Sequence, residues 1–258
     1  MQTEILEKPE TDRGVVSRTR AVFSLGEGDK APLQQSIRRY LSDRSPRVRS
    51  AALDVVRKKE LREVNASVLD LLTDKSGIVR HAAVECLGVL HEGEAVKASW
   101  LYPLLKDPVL IVRVETVESL AHIGDRTALP LIAERLKDED PLVRAYAARS
   151  IAELEGQEFV PAIEKASKTE QDENAKVGFA EALFTLGDDN QFSVLLGFLS
   201  SGDYHVRCAS ANALGGADLN SAQLQSALEA VSFASHHSLV KADKSRMERV
   251  EKELREQL

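Results

Sequence analysis

Tryptophan occurs once in this chain, methionine and cysteine twice each, and aromatic residues make up only 5% of 258 positions. With so few rings, a hydrophobic content of 43% has to be carried by Ala, Leu and Val, which favours helices packed through small and medium side chains. No stretch approaches the roughly 18 uninterrupted apolar residues of a membrane helix, so no membrane span is expected. The opening segment, MQTEILEKPETDRG, is polar and has no apolar signal core. Basic residues are in the minority, 34 against 41 acidic for a formal net charge of -7. That balance argues against a general binder of phosphate backbones and hence against a nucleic-acid partner, although it leaves room for a local basic patch. Also missing are a Gly-x-Ser-x-Gly elbow, a Cys-His signature and a phosphate-cradling Gly-rich loop, so nucleophilic and nucleotide chemistry find no support.

What the chain does have is a repeat. Aligned on a Val-Arg step, equivalent positions are Val48-Arg49, Val79-Arg80, Val112-Arg113, Val143-Arg144, Ala175-Lys176 and Val206-Arg207, spaced by 31, 33, 31, 32 and 31 residues. Four positions after the Val stand Ala52, Ala83, Thr116, Ala147, Phe179 and Ser210, and eight after it Val56, Leu87, Leu120, Ile151, Leu183 and Leu214. Offsets of four and eight lie on one face of an α-helix, and the mostly small residue at four permits close approach of a neighbour. Gly124 and Gly187 read as stop signals. Five residues before the Val is an acid in five of the units, Asp43, Asp74, Asp107, Asp138 and Glu170, with Ser201 in the sixth. It marks a turn, and an earlier helix precedes each turn.

Each repeat is therefore a first helix (A), a short turn and a second helix (B). The A helices are expected at Leu33–Leu41, Asn65–Leu72, Ala95–Leu105, Ala128–Leu136, Glu158–Ala166 and Asn190–Leu199, with a further one at Gln223–Phe233 after the sixth pair. Pro103, Pro130 and Pro161 are expected to bend theirs. Helices this short are marginal alone in water, so stacking must stabilise them. Three regions follow: a polar tail over 1–13, a solenoid over 14–235 whose leading unit is degenerate, and a charged helix over 236–258. The last has a narrow apolar stripe, Met247, Val250, Leu254 and Leu258, and reads as a cap on the last repeat or as a helix for a partner. Cys86 and Cys208 fall in repeats two and six, and stacked repeats touch only their neighbours. Reduced, buried thiols in a cytoplasmic protein are the expectation.

An acid, Val-Arg five and six positions later, then a small-apolar helix ending near Gly-Asp: over Leu33 to Ala217 this pattern resembles HEAT repeats, in particular the short HEAT-like repeats of the phycobilisome lyase type. The resemblance implies an all-α fold, a right-handed α-α superhelix of six to seven helix pairs with the B helices lining the concave face. It also implies a structural ladder in which the acid of the turn and the Arg of helix B pair, namely Asp43 with Arg49, Asp74 with Arg80, Asp107 with Arg113, and Asp138 with Arg144. Repeat five keeps the charges as Glu170 and Lys176, and repeat six offers Arg207 with Ser201 or Asp203.

Six positions after the Val, helix B reads Asp54, Glu85, Glu118, Arg149, Glu181 and Asn212. On a concave face these form an acidic row broken by Arg149. The row is either a solvated helix surface with local charge pairs or a groove for a basic or mixed-charge segment of a protein partner, with Leu53, Val84 and Val117 at offset five making apolar contact. Trp100 and Tyr102 read as packing or surface cover. Deoxyhypusine hydroxylases share the architecture but hold iron through several His-Glu pairs. Here His91-Glu92 stands alone, and His236-His237 reads as a loop or helix-end pair, so neither a metal nor a cofactor is expected. A non-catalytic scaffold or adaptor is the leading reading; a phycobilin lyase-like protein, handling a tetrapyrrole on a client, is the alternative.

Overall fold

The structure, a computed structural model, describes residues 12–27, 30–90, 97–237 and 240–257. Among the described residues there are helices and turns and no strand. They divide into two compact units, one ending at Ile123 and the other beginning at Gly124.

In the first unit, α1 (Asp12–Gly26) is followed by the pair α2 (Lys30–Leu41) and α3 (Pro46–Lys59), then by α4 (Asn65–Asp70) and α5 (Gly77–Leu90), and finally by α6 (Leu110–Ile123). The helix expected over Ala95–Leu105 departs from its expectation. Residues 95 and 96 lie outside the described residues, and the rest forms two 3-10 segments, Ala98–Trp100 and Tyr102–Lys106. Pro103, which lacks an amide donor, sits in the first turn of the second segment, and so short a run with i to i+3 bonding does not settle into an α-helix. In the second unit the pairs are α7 (Leu129–Glu134) with α8 (Pro141–Glu153), α9 (Val160–Thr169) with α10 (Glu173–Thr185), and α11 (Asn190–Phe198) with α12 (Tyr204–Gly215). The helices α13 (Ser221–His237) and α14 (Lys241–Arg255) close it. Pro130 and Pro161 each occupy one of the first two positions of α7 and α9, directly after the 3-10 turns Arg126–Ala128 and Gln157–Phe159, where a missing N–H has no intrahelical partner to lose.

The B helices are α3, α5, α6, α8, α10 and α12. Their anchor Val or Ala and every residue at offsets four and eight are buried, from Ala52 and Val56 to Ser210 and Leu214. Burial extends much further round each helix than one face. In α5 only Gly77, Ile78, Arg80, His81, Glu85 and Val89 retain appreciable exposure, because a B helix meets other B helices in its unit as well as its own A element. Gly178 shows how close that approach is: a Cβ there would lie 2.8 Å from the Cβ of Ala145. Four of the B helices, α3, α6, α8 and α10, end in a left-handed residue at offset twelve. Gly124 and Gly187 take it at φ 75° and 99°, and Glu60 and Glu155 take the same position at φ 50° and 52° despite their Cβ atoms.

At the end of the second unit α14 packs its apolar stripe inward. Met247, Val250 and Leu254 are fully buried in one core with Val206, Leu214 and Val231; Leu258 lies outside the described residues.

Candidate functional site

The ladder residues come together, but in a different register from the expected one. Arg49 pairs with Asp74, its Nη2 and Nε each donating at 2.8 Å. Arg80 pairs in the same forked way with Asp107 at 2.7 and 2.8 Å, and Arg144 with Glu170 at 2.6 and 2.8 Å. Each arginine thus reaches the acid of the following turn. To its own turn it gives only Nη1, which donates to the backbone carbonyl six residues back: Arg49 to Asp43, Arg80 to Asp74, Arg113 to Asp107 and Arg144 to Asp138, at 2.7 to 2.8 Å. This register has a geometric cause. The acid's own carboxylate bends back to accept the amide two residues on, as Asp74 does from Ser76 and Asp107 from Val109 at 2.8 Å, and the same Oδ1 takes Nη2 of the preceding arginine. One guanidinium fork therefore ties the turn behind it to the carboxylate ahead.

These contacts set the charges. Burial alone would raise the carboxyls of Asp43 and Asp107, but the guanidiniums of Arg18 and Arg80 and the amides of Ser45 and Val109 outweigh it and hold both below the ordinary value. At Glu170 the Arg144 hydrogen bond is the largest influence and lowers the carboxyl against the effect of burial.

Two rungs lie outside the aligned repeats. Arg18 of α1 pairs with Asp43 at 2.8 and 3.2 Å, and Arg207 pairs with Asp243, a fully buried residue of α14. Ser201 offers Arg207 its backbone carbonyl at 2.7 Å, and Asp203 caps α12 through the amide of His205, so neither side chain is the partner of Arg207. Lys176 makes no ion pair among the described residues. At that step the Ser201 hydroxyl donates to Glu173 Oε2 at 2.8 Å.

The row at offset six does lie on the outer surface of the B helices, yet much of its charge is used locally. Arg57 stands 3.9 Å from Asp54 and 3.4 Å from Glu85, and Arg149 3.1 Å from Glu181. Beside them His81 meets Glu115 at 3.4 Å. The Glu115 hydrogen bond raises the His81 imidazole above its ordinary value, with the charges of Glu85 and Asp54 adding to it. Burial raises the Glu181 carboxyl, and Arg149 only partly offsets this. The expected apolar contacts at offset five are corrected: Leu53, Val84 and Val117 are all 0% exposed. They face neighbouring helices, since three-sided packing consumes that part of the helix circumference.

The accessible apolar positions are instead one residue before the anchor. Ile78, Ile111 and Leu142 stand 63%, 41% and 43% exposed. The alignment contained this signal, because offset minus one reads Arg47, Ile78, Ile111, Leu142, Asn174 and His205. In the second unit Leu142, Tyr146, Arg149, Glu181 and Asn212 line one cleft of about 490 Å³ across α8, α10 and α12.

Among the described residues no group of three or more His, Cys, Asp or Glu side chains is placed to hold a metal ion, and no helix is long and apolar enough to cross a membrane. His91-Glu92 lies outside the described residues. His236 and His237 end α13, each ring Nδ1 beside the carbonyl four residues back. Trp100 is 37% exposed. Both cysteines are free; Cys86 is buried, which pushes its thiol up to about 12, whereas Cys208 is only half-buried and lies 3.5 Å from Asp243 Oδ1.

A family model for HEAT repeats matches residues 36–113 and 98–183. By sequence, no curated protein matches the chain. Among solved structures, the complex of CpcE and CpcF of phycocyanin lyase from Nostoc sp. PCC7120 is similar with a TM-score of 0.59 at 16% identity, over 88% of this chain and 96% of that one. The E. coli protein YibA is similar with a TM-score of 0.53 at 14% identity, over 99% of both chains. At these identities the likeness concerns the fold.

Proposed function

The chain belongs to the HEAT-repeat family, and on that footing we propose that it is a non-catalytic scaffold or adaptor that binds a protein partner on its B-helix face. The observation that carries this reading is the pair of aliphatic side chains at offset minus one in the first unit. Ile78 and Ile111 stand exposed at the starts of α5 and α6, where the core has no use for them, and exposed apolar side chains recurring at one repeat position mark a contact surface. In the same unit Asp54, Glu85 and Glu118 supply the polar surround that orients the partner. Binding to a surface already built on packed helices calls for little rearrangement. Two free thiols suit a cytoplasmic setting. The phycobilin lyase reading rests on repeat architecture alone, which proteins of unrelated activity share.

The test is affinity purification from the native host with mass spectrometry, followed by binding of the captured protein to purified variants. Ile78→Ser combined with Ile111→Ser is expected to abolish binding with the melting midpoint nearly unchanged. Unchanged affinity in that variant, and in Glu85→Lys with Glu118→Lys, rejects the reading.

A further inference from the structure

Within the first unit the B-helix face changes character towards α1. Val16 and Phe23 stand 46% and 43% exposed. Phe23 lines both a groove of about 510 Å³ along α1 and an adjoining cleft of about 660 Å³ that reaches Ile78. Arg20 and Arg47 line the same groove. The other arginines of α1 to α5 on this side are engaged: Arg18, Arg49 and Arg80 hold ladder carboxylates, and Arg57 serves Asp54 and Glu85. Arg20 and Arg47 are exposed and have no ion pair among the described residues. The Thr19 hydroxyl, which lies in both depressions, is buried without a hydrogen-bond partner. Glu27 also lines the groove and leaves the arginines in excess.

Of the acids on the neighbouring B helices only Asp54 lines the adjoining cleft, and it shares Arg57 with Glu85, while Glu115 holds His81. Along α1 itself the groove is therefore positive, with two arginines against one glutamate. The sequence has the same bias: residues 12–60 carry 12 Lys and Arg against 6 Asp and Glu, whereas residues 61–258 carry 21 against 32. A partner segment matched to the offset-six acids would be basic; one matched to this groove has the opposite sign.

We propose that the groove receives an acidic amphipathic segment of the protein partner, its apolar side chains seated on Val16, Phe23 and Ile78 and its carboxylates on Arg20 and Arg47. Forked guanidiniums suit carboxylates, and an amphipathic helix laid in an apolar groove is a recurrent mode of peptide recognition. A nucleic acid fits less well, since its affinity comes from many cations tracking phosphates, and here two guanidiniums stand over an apolar floor. The inference rests on the protein-scaffold reading and adds the chemistry of the partner segment.

The probe is a fluorescein-labelled amphipathic peptide of roughly 20 residues with Leu on one face and Glu on the other, a length typical of groove-bound helices. It is compared by anisotropy with its Glu-to-Lys counterpart and with a single-stranded oligonucleotide. The full-length chain is expected to bind the acidic peptide at least about tenfold more tightly than the lysine peptide, and Arg20→Glu with Arg47→Glu to erase that preference at an unchanged melting midpoint. Val16→Ser with Phe23→Ser is expected to weaken the acidic peptide without reversing the preference. No preference, preference for the lysine peptide, or tighter binding of the oligonucleotide overturns the inference. The captured native partner separates this failure from that of the scaffold reading. If it loses affinity for the Ile78→Ser, Ile111→Ser variant but binds the double arginine variant normally, the scaffold stands and the acidic-segment inference falls.

Discussion

In the unit that ends at Ile123 three successive arginines find the next carboxylate, Arg18 with Asp43, Arg49 with Asp74 and Arg80 with Asp107. In the unit that begins at Gly124 the series is interrupted. Arg144 holds Glu170 and Arg207 holds Asp243, but between them Lys176 and Ser201 form no rung. The turn at the gap is nonetheless built like the others: the Asp203 amide donates to Ser201 Oγ at 3.2 Å, the bond that Ser45 makes to Asp43 at 2.8 Å. The turn acid therefore has two separable jobs. Capping its own turn needs an acceptor, which serine supplies; joining one repeat to the next needs a carboxylate and a guanidinium together.

The largest expected effect breaks the comparison on its complete side. Arg80→Ala leaves Asp107, whose side chain is only 6% exposed, with a charge whose partner has gone, and frees the Asp74 carbonyl as well. Losing one member of a buried pair costs about 3–5 kcal/mol. Lys176→Ala, at the aligned position without a rung, is expected to cost about 0.5 kcal/mol or less. Urea unfolding of both variants checks the contrast, and equal losses would mean that the rungs do not hold the repeats together. Acid pH erases the same contribution. The carboxyls of Asp43, Asp107 and Glu170 sit below their ordinary values, so their stabilisation is full above about pH 4–4.5 and is lost as pH falls through the lowered values.

These contrasts also show what the sequence could and could not reveal. Repeat spacing and the burial of offsets zero, four and eight were legible, because helix periodicity alone decides which face turns inward. The ladder residues were legible and their pairing was not. Six residues separate acid and Arg within a repeat, and nothing in that spacing says that the carboxylate is already bent back onto its own turn. Arg18 and Asp243 escaped because they lie where the repeat degenerates. Leu53, Val84 and Val117 were misplaced for want of the neighbouring helices, since one helix's pattern does not show how many sides are covered. The excess of Arg20 and Arg47 emerged only once the other arginines were seen to be occupied.

A second prediction sharpens the comparison by completing the interrupted series. Lys176→Arg together with Ser201→Asp recreates the pair found at Arg80 and Asp107, and is expected to raise stability by about 1 kcal/mol, the range for a partly exposed bidentate pair. Ser201→Asp alone is expected to act in the opposite direction. It would set a carboxylate where the Ser201 hydroxyl now donates to Glu173 Oε2 at 2.8 Å, and two like charges at that separation repel. Thermal melts of the single and double variants check the sign change; a double variant no better than the single one would show that the gap is not simply a missing pair.

The smallest effect compares the cross-helix pairs of the two B-helix faces. In the first unit His81 is raised by Glu115; in the second Glu181 is raised by burial against the pull of Arg149. Both groups bind their proton more tightly folded than unfolded, so both contributions decline as pH rises, but in different windows. That of Glu181 begins to fade above about 4.5, the ordinary glutamate value, whereas that of His81 is full below about 6.5 and is lost as pH climbs through the raised imidazole value. Glu115→Gln is expected to bring the His81 titration, followed by NMR of its ring protons, back towards about 6.5, and to cost less than about 1 kcal/mol at pH 6 because the pair is partly exposed. Arg149→Gln, acting on the other face, is expected to leave the His81 curve where it was. A His81 midpoint that ignored Glu115 would assign the raised imidazole to Glu85 and Asp54, and the pairing on this face would then be a shared field of acids with no single contact behind it.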